Sequence, residues 1–250
     1  MALIDLKKKV GIVLEKRKVA ANIMAQVGVA FDITGSMKHL YLNGTVQALA
    51  ERLLAVALRF DDNGNLDAWS FCEDASELPG VNEQNYEKYV SESLINNGRI
   101  NKWGSTNFSP ALNKIKDFYF GSSEVRNKPV ESETSGLFGL FKKKVTTFVP
   151  VTVVTEGQNT GDLPVYLMFI TDGDNFDEPA SWTMLEAMKD KNIYIEFVGI
   201  GTDAKFRFPQ QAADKYGNVG FVHIKDLPRT TDEQLYEELL NEEFCAWIKK

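Results

Sequence analysis

Cysteine and histidine are scarce in this chain: its 250 residues include only Cys72 and Cys245, and only His39 and His223. Two cysteines cannot build a disulfide scaffold or a cysteine-based zinc site, and two histidines argue against any soft-ligand metal centre. Such usage fits a reducing, cytoplasmic setting. Long apolar runs are lacking too. The leader MALIDLKKKVGIVLEKRKV interleaves charges with its apolar positions, so it reads as neither a secretory signal nor a membrane span, and no transmembrane segment is expected. Positive charge is in deficit, with 28 Lys and Arg against 35 Asp and Glu for a net −7. This disfavours a nucleic-acid partner, whose phosphates need the opposite sign. No G-x-x-x-x-G-K-[ST] loop is present to hold a nucleotide.

What remains is an ordinary globular composition, 44% hydrophobic and 25% charged, enough for a substantial core. Leu6, Val10, Val13 and Leu14 recur at helical spacing, predicting an amphipathic helix over residues 4–18 whose stripe must pack on something. Val27–Phe31 reads as a buried strand and residues 40–60 as one strong helix. A second strand is expected over Leu66–Phe71, with helices over 83–96 and 110–118. Val165–Ile170 (VYLMFI) is continuous apolar sequence, as in a strand buried on both faces of a parallel sheet. A helix over 182–189, the strand IYIEFVGIG, a short helix at 209–215, the strand VGFVHI and a last helix over 232–248 complete the alternation. The class is α/β. Residues 1–22 form the N-terminal helical region and 23–250 one domain, interrupted at about 121–160 by a β-rich insertion.

Asp61, Asn63 and Asn65 match the opening of a calcium loop, but Cys72 stands where a bidentate glutamate belongs and the sixth position is not glycine. A turn is the expected reading.

The chemistry gathers in three loops. VGVAFDITGSM ends a strand in Asp32, Thr34 and Ser36; WGSTN carries Thr106; ITDGD carries Asp172. In open α/β sheets, ligands bind beyond the carboxyl ends of the strands, where these loops would lie. Two carboxylates and three hydroxyls are hard oxygen donors of the kind that magnesium takes, and helix capping is the competing use of the same residues.

These segments resemble the metal-ion-dependent adhesion site of von Willebrand factor A (vWA) domains: a first loop D-x-[ST]-x-S, a threonine in a second loop and an aspartate in a third. Asp32, Thr34 and Ser36 match the first, Thr106 the second and Asp172 the third, with threonine at 34 in place of the commoner serine. FDDNGNLDAWSF, the leader and the ending FVHIKDLPRTTDEQLYEELLNEEFCAWIKK are similar to bacterial vWA proteins associated with tellurium resistance and stress, a group related to copine-type A domains. The resemblance implies a Rossmann-like, six-stranded, mostly parallel sheet with one antiparallel edge strand and helices on both faces. It implies one divalent cation, Mg2+ with Mn2+ or Ca2+ as alternatives, bound directly by Thr34, Ser36 and Thr106 and largely through water by Asp32 and Asp172. The expected partner is a protein presenting an Asp or Glu carboxylate.

That makes the chain a metal-dependent interaction module, not an enzyme. The competing reading, a metal-dependent hydrolase or phosphoryl-transfer enzyme at the same site, needs a base beside the metal, for which only His39 is near. A third reading places residues 137–144, with Leu137, Phe138, Leu140 and Phe141 before three lysines, as a peripheral membrane contact.

Overall fold

The computed structural model describes residues 3–60, 64–135, 142–159, 162–201 and 205–250. The first elements in chain order are α1 (Leu3–Lys16), β1 (Gln26–Asp32), α2 (Lys38–Leu42), α3 (Thr45–Phe60), β2 (Leu66–Phe71) and β3 (Ala75–Val81). After a 3-10 turn (Tyr86–Lys88) and a π turn (Val90–Ile95) come α4 (Ser109–Phe120), β4 (Ser122–Ser135), β5 (Lys142–Thr155) and β6 (Val165–Thr171). The chain ends with α5 (Glu178–Met188), β7 (Ile193–Ile200), α6 (Arg207–Lys215), β8 (Val219–Ile224), α7 (Asp232–Leu239) and α8 (Glu242–Trp247). Two units result, Met1–Ile115 with Gly161–Lys250, and Lys116–Thr160.

In the first unit six strands form one sheet in the order β3-β2-β1-β6-β7-β8, parallel throughout except for β3 at the edge. The α/β, Rossmann-like expectation is what the chain adopts. The central strands β1, β6 and β7 are buried on both faces, which is why their sequences read as nearly unbroken apolar runs. From β1 the chain runs outward to β2 and β3, then returns to β6 on the other side of β1. The strand order therefore reverses between β1 and β6, the switch point at whose carboxyl ends open α/β sheets bind their ligands.

The amphipathic stripe of α1 does find its partners. Leu6, Val10, Val13 and Leu14 are buried and the helix packs on α3 and α7. Buried Asp232, in the first turn of α7, accepts from Lys9 and pairs with Arg52, each at 2.8 Å, tying three helices together.

Three elements depart from the periodicity, each for a local reason. The helix expected over 40–60 breaks at Asn43–Gly44, where Gly44 takes φ +84°, a value open to glycine, and the Asn43 side chain accepts from Thr45 N at 3.0 Å. The helix expected over 83–96 becomes a 3-10 turn and a π turn. The Gln47 side chain from α3 donates to Tyr86 O (2.6 Å) and accepts from Val90 N (3.0 Å), the two groups that would otherwise bond each other in an α-helix. The helix expected over 232–248 is two, because Asn241 caps α8 by accepting from Phe244 N at 2.9 Å. The irregular ASELPGV carries no period-2 alternation, yet it forms edge strand β3, where Pro79 is tolerated.

In the second unit β4 and β5 pair antiparallel from Ser122 opposite Thr155 to Ser135 opposite Lys142. Leu137, Phe138, Leu140 and Phe141 of the proposed membrane contact lie outside the described residues, as do Asp61 and Asn63 of the calcium-loop match. Among the described residues, no helix is long and apolar enough to cross a membrane.

Candidate metal centre

Asp32 is the last residue of β1, and Thr34 and Ser36 lie in the turn leading to α2. A strand buried on both faces delivers its terminal carboxylate into the interior, and Asp32 and Thr34 are buried while Ser36 is exposed. Thr34 donates to Asp32 Oδ1 twice, from its backbone N at 2.9 Å and from its hydroxyl at 2.5 Å. Ser36 Oγ donates to Asp172 Oδ1 at 2.8 Å and lies 3.2 Å from Thr34 Oγ1. Asp32, Thr34, Ser36 and Asp172 thus form one unbroken chain of oxygens across the mouth between β1 and β6.

With both carboxylates ionised, each hydroxyl proton is committed to a carboxylate. The Thr34–Ser36 contact then sets lone pair against lone pair with no proton between, a donor set suited to a hard cation. Electrostatics agree. Burial, offset in part by the hydrogen bonds of Thr34 and added to by the charge of Asp172, pushes Asp32 up to about 7. Burial also raises Asp172, against the opposing Ser36 hydrogen bond. Two carboxylates pressed together in a poorly solvated site need a proton or a cation. The residues present fit a small divalent ion.

Among the described residues, the Thr106 side chain makes no hydrogen bond to this group. The Thr106 carbonyl accepts from Phe176 N at 2.9 Å, linking the second loop to the third, and Thr106 itself is buried. The first and second loops are also laced together: Trp103 N donates to Ile33 O (2.8 Å) and Gly35 N to Gly104 O (3.3 Å). A Cβ on Gly35 would lie 3.3 Å from Trp103 O, so the close approach leaves little room for a side chain.

Supporting residues emerged that loop composition does not announce. Thr171 donates to Asp32 Oδ2 at 2.8 Å, fixing the second carboxylate oxygen, and Tyr41 donates to Asp32 O at 2.7 Å. Asp177, just before Glu-Pro, carries a familiar helix-start signal for α5, yet it makes no side-chain cap there. Its carboxylate instead accepts from Phe108 N and Ser109 N, both at 2.9 Å, capping α4 from across the site. Asn175 and Ser181 donate to it as well. Asp174 does the same for α6, accepting from Phe208 N at 2.8 Å, so it supports the loop. His39 lies with Nδ1 2.8 Å from Ser36 O, held on the backbone of the first loop.

A six-stranded sheet of this order, with oxygen-rich loops at the carboxyl ends of β1 and β6, defines a vWA-type domain. The chain belongs to the vWA-TerF-like family, the vWA domain found in the C terminus of TerF, which matches residues 24–131 and 133–250. It is 36% identical to the uncharacterized protein YcbR of Bacillus subtilis (strain 168), over all of this chain and 88% of that protein. In fold it is similar to proximal thread matrix protein 1 of the mussel byssus (TM-score 0.54, 12% identity, 90% of this chain). The chain spans about half the length of that protein, 49%. It is also similar to an aerotolerance-related membrane protein from Bacteroides fragilis NCTC 9343, with a TM-score of 0.51 and 13% identity, covering 86% of this chain and 98% of that one. Domains of this type generally serve interaction or adhesion.

Proposed function

We propose that the chain is a divalent-cation-dependent protein-interaction module whose partner presents an Asp or Glu carboxylate at the mouth between β1 and β6. The observation that carries this reading is the chain of oxygens from Asp32 through Thr34 and Ser36 to Asp172. Asp32, Thr34, Ser36, Thr106 and Asp172 would hold Mg2+, with Mn2+ or Ca2+ as alternatives, and the ion when bound would supply an open coordination position for an incoming carboxylate. The protein's own residues do the positioning. Thr171 and the Thr34 amide orient the Asp32 carboxylate, while Asp177 and the Phe176–Thr106 bond hold the second and third loops at a fixed separation. With neutral hydroxyls as the direct ligands and the two carboxylates held off largely through water, a bound dication would stay electrophilic toward a further carboxylate. The setting we propose is a bacterial or phage-related stress or tellurium-resistance system in the cytoplasm, supported by the relation to TerF.

The test is affinity capture from cell extract with Mg2+ or with EDTA, using Asp32→Ala as control and identifying the retained proteins. A partner that is held in Mg2+ and released by EDTA and by the substitution supports the proposal. One that stays bound in EDTA, or survives Asp32→Ala unchanged, overturns it.

A further inference from the structure

Gly11 sits in the middle of α1, where glycine is the least favoured residue after proline, and a Cβ placed on it meets nothing within 4 Å beyond its chain neighbours. No contact within the chain therefore calls for glycine there. At the end of the same helix the reverse occurs. Val19 N donates to Leu14 O and Lys18 N to Glu15 O, both at 2.9 Å, a Schellman ending whose left-handed residue is usually glycine. Here it is Lys18, at φ +57°. Both choices work against α1, and both residues line one trough of about 780 Å3 formed by the outer face of α1, the loop that follows it and Arg59. Residues that oppose the local fold mark places where a sequence serves something else.

The trough joins an apolar lining to unpaired positive charge. Gly11, Val19, Ala20 and Ala21 line it, with Ile12 53% exposed beside them. Ile4, Lys8, Gly11, Ile12 and Glu15 share the face of α1 opposite its buried stripe, so Ile4, 63% exposed, prolongs the apolar strip. Three cations, Lys8, Lys18 and Arg59, stand against one acid, Glu15, in a chain of net charge −7. Neighbouring cations have acids of their own: Lys9 pairs with Asp232, Lys16 with Glu237 and Arg17 with Glu242. Among the described residues, Lys8, Lys18 and Arg59 make no ion pair. The half-buried Arg59 guanidinium donates to Ala20 O at 3.4 Å and lies 5.6 Å from the Phe60 ring centroid, and burial lowers its pKa from the ordinary value. A partly desolvated guanidinium with one long hydrogen bond has donors left for a carboxylate.

That pattern is the complement of a ligand that is aliphatic along its middle and anionic at its sides. A small amphiphile would stay largely in water here, because Lys8, Ile12, Glu15, Ala20 and Ala21 are themselves exposed, whereas small-molecule sites enclose most of their ligand. A helix fits the shape. Ile4 to Ile12 spans about 12 Å at the helical rise, two turns, the reach of anchors at i, i+3 or i+4 and i+7 on an amphipathic helix. Without a side chain at Gly11, a partner backbone can come close.

We propose that this trough binds an acidic amphipathic helix of a partner protein, its aliphatic side chains over Gly11 and Ile12 and its carboxylates on Arg59, Lys18 and Lys8. The site shares no residue with the candidate metal centre and needs no cation.

The test is panning of a phage-displayed library of random peptides, about 16 residues long, on the full chain in EDTA, followed by fluorescence anisotropy of the synthesised selected peptides. These should carry aliphatic residues at helical spacing with Asp or Glu beside them. Gly11→Leu puts a better helix former into the trough, so it should leave the melting temperature unchanged or raised while weakening the peptides about tenfold or more. Arg59→Ala, shown to be folded by circular dichroism, should weaken them to a similar extent, and Asp32→Ala should not. Selected peptides that bind Gly11→Leu or folded Arg59→Ala as tightly as the wild type overturn the proposal, as does a selection that yields no acidic peptide. Co-sedimentation of the wild type with phosphatidylglycerol vesicles, lost in both variants, would assign the trough to a membrane surface and overturn it as well.

Discussion

Asp32 and Glu196 are the two carboxylates that folding displaces most in opposite halves of the sheet, and they answer to different partners. Asp32 rises to about 7 beside Asp172, where a cation can take the place of a proton. Addition of Mg2+ to metal-free protein at pH 7.5 should raise the melting temperature, and Asp32→Ala should abolish that rise, as read by differential scanning fluorimetry. Glu196 lies fully buried on β7, where burial pushes it to about 8 in spite of the 2.8 Å hydrogen bond donated by Asn241, and its Oε1 has no partner among the described residues. A raised folded-state value means that the neutral acid is the form the fold favours. Its contribution is complete below the unfolded value near 4.5 and is lost as pH rises through about 8. Urea denaturation between pH 5 and 9 should show the wild type losing about 4 kcal/mol more than Glu196→Gln over that window. A flat difference between the two would contradict this account.

At the scale of elements, side chains from one segment repeatedly complete the backbone of another. Gln47 occupies both ends of a broken helical bond at Tyr86 and Val90, so Gln47→Leu should strand two backbone groups and cost about 1–3 kcal/mol. Faster hydrogen exchange at Val90–Leu94 than in the rest of the sheet-facing helices would accompany it. Asp177 caps α4 from the third loop. Asp177→Ala should cost about 1–2 kcal/mol, and it should also weaken Mg2+ binding by calorimetry although Asp177 is not among the proposed ligands. These trans contacts are not legible locally. Asp177 before Glu-Pro looks like a cap for its own helix, and residues 83–96 look like an ordinary helix, because no local pattern encodes an acceptor or donor arriving from residues far away in the chain.

For the whole molecule, stability rests on burying α3 between the sheet and α1. Leu53 sits fully buried in that layer with Leu49 and Leu54. Leu53→Ala should cost about 2–5 kcal/mol by urea titration, the range for a cavity left in a close-packed core. The same layer fixes where function can lie. Helices on both faces of a parallel sheet leave only its ends open, and the reversal of strand order between β1 and β6 marks one of them as the place for a ligand.

The sequence by itself determined the α/β alternation and the buried strands β1, β6 and β7, and it put forward Asp32, Thr34, Ser36, Thr106 and Asp172 as the candidate set. Those features follow from periodicity and from residue types that occur in short contiguous motifs. Only the tertiary structure decided that β3 closes the edge, that Gly44, Gln47 and Asn241 break three helices, and that Thr171, Asp177 and Tyr41 hold the loops in place. It also joined Ser36 to Asp172 across 136 positions of chain. The reason is physical: hydrophobic patterning is written locally along the chain, whereas a hydrogen bond between distant segments exists only once the core has brought them together.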